Sequence, residues 1–255
     1  MVTWLEGALL GAVQGITEWL PISSSGHLVL LHYFFPVEDP LAFDLMLHIA
    51  SLLVIFLVFW RDVLELIKGV LKRDKNAISY VVKIFIASIP IAIVGILFEE
   101  IIDAAFSNLL VVGICLLITS ILLWLSQYPI EKNKELTIKE SIIVGLAQAA
   151  AIFPGLSRSG ASVSTSLIQG VKREESGRFA FLIAIPAIAG AAIFKLDDLA
   201  TISDIDAVVA GCIACLVVGF LSLKILLKIL DANKFHYFSF YCIAVGVLCI
   251  ILYFA

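Results

Sequence analysis

A carboxylate, three consecutive serines and a histidine stand close together in the stretch QGITEWLPISSSGHL, which runs from Gln14 to Leu28 between apolar flanks. Glu18 follows Gln14 by four residues, so the two side chains leave one face of a helix. Ser23, Ser24 and Ser25 follow Pro21, where one helix ends and another can begin. A helix start offers unpaired N–H groups and a positive dipole end to an anion. His27 lies three residues after Ser24 and four after Ser23, spacings that let a hydroxyl and an imidazole share a face. A second polar cluster, PGLSRSG at 154–160, sets Ser157, Ser159 and Gly160 around Arg158. A guanidinium is a permanent planar cation that suits phosphate oxygens. Two serine-lined helix starts, an arginine, a histidine and a carboxylate brought together are the parts of a site that holds an oxyanion. Each residue also has a structural use. The serines can be helix caps, Glu18 can pair with Arg158, His27 can be a hydrogen-bonded interior histidine, and Gln14 and Gln148 can bond freed backbone groups. His32 and His236 read as structural, and His48 stays undecided.

These clusters need elements to hold them, and the composition says what those are. The 255 residues are 62% hydrophobic and only 15% charged, where soluble domains carry about a quarter charged residues. Six stretches, 41–60, 79–98, 108–127, 178–196, 207–229 and 236–254, approach the ~20 apolar residues that cross a bilayer. The expected fold is an all-α polytopic membrane protein. Lysine and arginine stay cytoplasmic, which places Arg61, Lys68, Lys72, Arg73, Lys75, Lys132, Lys134, Lys139, Lys172, Arg173, Arg178, Lys224, Lys228 and Lys234 inside. Glu38, Asp39, Glu99, Glu100, Asp103, Asp197, Asp198, Asp204 and Asp206 then fall outside, and Lys195 and Arg158 break the pattern.

Two stretches, 3–35 and 138–171, are not clean spans. Each reads as a helix, a Pro/Gly/Ser break and a second helix, with the breaks expected near Leu20–Pro21 and Phe153–Pro154 and the second helices from about Gly26 and to about Val171. The charge map requires each to return to its starting side, so both are expected to be re-entrant hairpins. They match at an offset of about 134 residues: Gly11 with Gly145, Gln14 with Gln148, and Ser23, Ser25 and Gly26 with Ser157, Ser159 and Gly160. Three spans follow each hairpin, an odd number, so the second copy is inverted and the tips meet near the midplane. The chain is thus expected to be one membrane domain, 1–255, made of repeats 1–130 and 131–255. Cys212 and Cys215 form a CxxC inside an apolar helix and read as small packing residues. Faces such as Gly190–Ala192 suit packing within a monomer or across a homodimer, and that choice stays open.

With its two motifs, the chain resembles the undecaprenyl-diphosphatase family, the bacitracin-resistance membrane phosphatases. The first motif stands as Gln14, Glu18, Pro21, Ser23, Ser24, Gly26 and His27, and the second as Pro154, Gly155, Ser157, Arg158, Ser159 and Ser162, a serine where threonine is usual. Segments 43–56 and 178–191 are also similar, while Cys242 stands where a basic residue would be expected. The resemblance implies removal of the terminal phosphate of a C55 polyprenyl diphosphate, which recycles the lipid carrier of cell-wall synthesis. It also implies a divalent cation, Mg2+ or Ca2+, and chemistry on the extracytoplasmic side of the cell membrane. On that footing Arg158 holds phosphate with Ser23, Ser25, Gly26, Ser157, Ser159, Gly160 and Ser162 beside it, and Glu18 with Gln14 holds the cation. Ser24 is the candidate nucleophile and His27 its general base or acid, with direct attack by water left open. The expected partners are a polyprenyl diphosphate and membrane lipid, with no nucleic acid. The rival reading is a lipid flippase or anion transporter without hydrolysis, which uses the same broken-helix architecture.

Overall fold

The computed structural model describes residues 2–34, 40–130, 133–195 and 204–255. The acidic positions Glu38, Asp39, Asp197 and Asp198, and Lys132, lie outside the described residues. The rest is helical, with no strand among the described residues: α1 Trp4–Trp19, α2 Ser24–Phe34, α3 Pro40–Val58, α4 Trp60–Leu71, α5 Lys75–Leu97, α6 Glu99–Ala105, α7 Leu109–Leu125, α8 Ile138–Ala150, α9 Arg158–Ile168, α10 Arg173–Phe194, α11 Ile205–Asp231 and α12 Phe238–Phe254. Among the described residues four helices are long and apolar enough to cross a membrane: α5, α10, α11 and the stretch ending in α12. The number rises to six if each of two bent pairs is one span, α3–α4 bent by 76° and α6–α7 bent by 95°. Phe85, Ile89, Ile93 and Ile96 run exposed along α5. So large an apolar face has lipid, not water, as its natural solvent.

Both stretches form a helix, a break and a second helix. Their first helices start alike. Thr3 and Thr137 are N-caps, and Glu6 and Glu140, three residues on, reach back to the threonine N–H and hydroxyl. α1 stops at Leu20, which turns extended before Pro21. α8 ends at Ala150, three residues short of the expected Phe153. α2 begins at Ser24, two residues before the expected start, and α9 ends at Ile168 rather than near Val171. The basic stretch after the first span, expected as a loop, is instead α4. Leu64, Ile67 and Leu71 lie along it at helical spacing among charged residues, and none of its residues is buried. This is the pattern of a helix lying at an interface.

The helices that carry the hairpins pack across the chain. α1 lies along α11 with backbone against backbone. A Cβ on Gly7 would stand 2.2 Å from the Ala207 carbonyl oxygen, one on Gly11 1.9 Å from that of Gly211, and one on Gly15 2.7 Å from that of Cys215. Small residues every fourth position on both helices permit this approach. α8 makes the corresponding contact with α5, where a Cβ on Gly145 would lie 2.5 Å from the Ala87 carbonyl oxygen. Trp19, at the end of α1, is fully buried and meets Phe181 of α10 edge-on at 5.9 Å. The α1–α11 seam therefore fixes the helix from which Glu18 projects. Gly11→Leu should force the two backbones apart, at a cost of about 3 kcal/mol or more. A clearly lowered melting temperature in detergent, with Ile16→Leu on the half-exposed face unchanged, is the expected reading.

Candidate active site

The break after α1 is a strained turn. Ser23 has φ +69°, in the left-handed region that residues other than glycine seldom enter. In this conformation its Oγ accepts hydrogen bonds from the N–H of Gly26 at 3.2 Å and of Gly155 at 3.1 Å. The first caps α2, and the second ties the first hairpin to the second. Gly155 itself has φ +95°, and a Cβ there would lie 2.3 Å from the Val112 carbonyl oxygen, so only glycine fits. The second tip repeats the cap: Ser157 Oγ accepts from Gly160 N–H at 3.0 Å and contacts Ser159 Oγ at 3.2 Å, as Ser23 contacts Ser25 at 3.3 Å. Gly26 and Gly160 were expected to give their N–H groups to phosphate. Both instead give them to the serine three residues earlier, because a helix satisfies its first N–H groups with the nearest acceptor.

Glu18 is buried, and both of its carboxylate oxygens have polar partners. Its Oε2 accepts from Ser24 Oγ at 2.6 Å and from the Gln14 amide at 3.0 Å, and lies 3.4 Å from His48 Nε2. Its Oε1 lies 3.6 Å from Arg158 Nη1. Gln14 turns its NH2 group toward Glu18 and toward Ser51 Oγ at 3.2 Å, so it steadies the carboxylate and presents no oxygen there. The Arg158 Nε and Nη1 are buried and have no hydrogen-bond partner among the described residues. Buried donors left unmade are costly, and a guanidinium with donors to spare is ready for an anion.

These groups line one cavity of about 430 Å³. Glu18, Ser23, Ser24, Ser25, Ser157 and Arg158 all line it. His27 does not. Its Nδ1 is 2.7 Å from the Ser23 carbonyl oxygen and its Nε2 2.8 Å from the Tyr241 hydroxyl. Its ring stacks on Tyr241 in a second cavity, of about 610 Å³, on the other face of the hairpin. The expected pairing of His27 with Ser24 is therefore not formed: on α2 the imidazole reaches back to the residue four before it, not three. Ser162 is fully buried behind the tip, and Ser159 bonds the Leu20 carbonyl oxygen at 3.3 Å. Cys242 is buried with its thiol 3.5 Å from the Pro21 carbonyl oxygen, so it packs against the turn.

Three residues that sequence reading left aside complete the surroundings. His48, on α3, holds its Nδ1 2.7 Å from the Asp44 carbonyl oxygen, which aims Nε2 at Glu18. Tyr241 anchors His27. Lys195, with Glu99 and Asp103, stands in the same cavity as Arg158. Gly190 and Ala191 line that cavity as well, and a Cβ on Gly190 would meet nothing within 4 Å. Four carboxylates, Glu18, Asp44, Glu99 and Asp103, thus face two fixed cations, Arg158 and Lys195. A polyanion entering such a space would bring a cation with it. Among the described residues no three His, Cys, Asp or Glu side chains converge as a metal cage. Glu18 nevertheless offers a carboxylate to a Mg2+ or Ca2+ ion that keeps its water and phosphate ligands, whereas the His48 nitrogen is not the kind of donor these hard cations take.

The family model of the bacitracin resistance protein BacA matches residues 7–248. An undecaprenyl-diphosphatase of Methanosphaera stadtmanae is 38% identical over 272 residues, covering 99% of each chain. One from Bacteroides fragilis is 39% identical over 263 residues, 97% of each chain. One from Korarchaeum cryptofilum is 38% identical over 254 residues, 95% of this chain and 96% of its own.

Proposed function

Because the chain belongs to the family of the bacitracin resistance protein BacA, we propose that this multi-pass membrane protein is an undecaprenyl-diphosphatase. It removes the terminal phosphate of undecaprenyl diphosphate and returns the monophosphate to cell-wall polymer synthesis. The observation that carries the reading is the Ser24 hydroxyl, 2.6 Å from the buried Glu18 carboxylate, in the cavity that Arg158 shares. Glu18 takes the Ser24 proton as Oγ attacks the terminal phosphorus. The bond from phosphorus to the bridging oxygen breaks, and the lipid monophosphate leaves with the proton that Glu18 carried. Water then attacks the phosphoserine, Glu18 accepts its proton and passes it to the Ser24 oxygen as the bond from that oxygen to phosphorus breaks, and inorganic phosphate leaves. Arg158 holds the phosphoryl oxygens as their charge spreads, since such catalysis is mostly positioning and electrostatic stabilisation. Glu18, steadied by His48, would give an oxygen ligand to a divalent cation on the diphosphate, and the charge of that cation would offset the acidity of the cavity. His27 acts as a positioning residue, fixing the strained Ser23 turn through Tyr241.

The two hairpins read best as re-entrant, in two inverted repeats of three spans each, opening to the outside of the cell membrane. The matching caps, the matching glycine seams and the outward-assigned carboxylates around the cavity support this arrangement. The prenyl tail then lies along α5 and α10, beside Gly190. A second reading, lipid translocation without hydrolysis, is favoured by the second cavity, which Lys234 lines and which shares Thr17 with the first.

Release of inorganic phosphate from purified C55 diphosphate, abolished by EDTA and restored by Mg2+ or Ca2+, tests the reading. Binding of the lipid without release under any cation would overturn it in favour of translocation. Ser24→Ala should cut turnover by at least ~10³-fold if Ser24 is the nucleophile. A loss near tenfold would leave Ser24 as a phosphate ligand and water as the attacking group.

A further inference from the structure

We propose that Lys195 is the capture residue for the diphosphate headgroup, held between Glu99 and Asp103 until the incoming anion displaces them. This rests on the hydrolase reading for the identity of the anion. Lys195 caps the C-terminal end of α10 and stands in the cavity that Arg158 lines from the second hairpin. Its Nζ lies 3.1 Å from Glu99 Oε1 and 3.0 and 3.3 Å from the two Asp103 carboxylate oxygens. The two cations of the cavity are thus in opposite states: Arg158 keeps unused donors, while Lys195 is shared between two acids of α6.

That difference suits a sequence of contacts. The three side chains are partly exposed, at 26% for Lys195, 41% for Glu99 and 38% for Asp103, and pairs that exposed are weak. A lysine ammonium is a point charge on a flexible stem and can change partners without a fixed geometry. A diphosphate concentrates more negative charge than either carboxylate and makes stronger charge-assisted bonds. By sequence, Lys195 is, with Arg158, one of two cations that break the otherwise acidic outward pattern. Without it, Glu99 and Asp103 would turn a bare negative edge toward an anionic substrate and repel it. With it, they hold the lysine in place and weaken the attraction for lesser anions.

The rival explanation is a plain structural tie between α6 and α10, and the two differ in sign. If Lys195 captures the headgroup, Lys195→Met should weaken C55-diphosphate binding about tenfold, with the loss in KM rather than kcat. Removing its competitors in Glu99→Gln/Asp103→Asn should tighten binding by about threefold or more, and Lys195→Arg should restore most of the affinity. A structural tie predicts that the methionine and the double variant weaken binding together. The measurements are equilibrium binding of radiolabelled C55 diphosphate in detergent, at low and high salt, and phosphate-release kinetics. Binding weakened in both variants, or unchanged in Lys195→Met, overturns the proposal. Wild type that binds the lipid but releases no phosphate overturns the hydrolase reading, while the affinities still decide Lys195. Wild type that does not bind the lipid overturns both.

Discussion

Glu18→Gln is expected to lower phosphate release by about 10³–10⁴-fold while leaving the protein folded. The amide matches the carboxylate in size and can still hydrogen-bond Gln14 and Ser24, so packing around the α1–α11 seam is kept. What disappears is the carboxylate that accepts from the Ser24 hydroxyl at 2.6 Å, the base of the proposed mechanism, and a positioned base contributes typically 10²–10⁴-fold. The negative charge facing Arg158 at 3.6 Å and His48 at 3.4 Å disappears as well. The cation should then bind more weakly, but raising Mg2+ should recover little of the rate, because the proton acceptor is still missing. An unchanged melting temperature beside a collapsed kcat is the signature. Near-normal turnover with normal cation dependence would remove Glu18 from both roles. Gln14→Ala should cost less, since Gln14 only steadies Oε2.

Arg158→Lys is the second large effect. Lysine keeps the charge but replaces a planar fork by one flexible ammonium. Affinity for the lipid diphosphate should fall modestly, because ground-state attraction is mostly Coulombic. Turnover should fall by ~10²–10³-fold, the usual loss when a donor aimed at developing charge is removed. A group that binds the transition state more tightly than the ground state shows this split between kcat and affinity. Equal losses in both would make Arg158 an anchor and shift the stabilisation of charge to other groups. Phosphate release and lipid binding on the same preparation read both quantities.

Much of this was legible where local rules act alone. Pro21 and the serine run mark a break, apolar length marks the spans, and the spacing from Gln14 to Glu18 puts both on one face, where they are bonded. What escaped depends on contacts between distant segments. Nothing near His48 in the sequence says that α3 brings it to Glu18, thirty residues away. The spacing of His27 allowed either serine, and the left-handed turn at Ser23 decided for that residue's carbonyl. That turn was hidden because serine, unlike glycine, does not advertise a positive φ. Gly7, Gly11 and Gly15 were visible as small residues, but their meaning needed α11, whose matching face starts at Ala207. The helix α4 was missed for another reason: its charges drew attention to topology, and its apolar spacing went unread.

The seam between α1 and α11 also sets an order of events. Synthesis at ~5–20 residues per second separates the two helices by roughly 10–40 s. During that time α1, carrying Glu18 and the first tip, has no backbone partner for its glycine face. The first half of the chain cannot close its own site, because the surface that seats it is encoded in the second half. α8 finds its partner α5 already made, so the two hairpins, alike in shape, mature under different conditions. A chain cut before α11 should leave α1 exposed to quality-control proteases, and co-expression of the missing segment should rescue it. The surface that seats Glu18 is thus complete only when nearly all of the chain has been made.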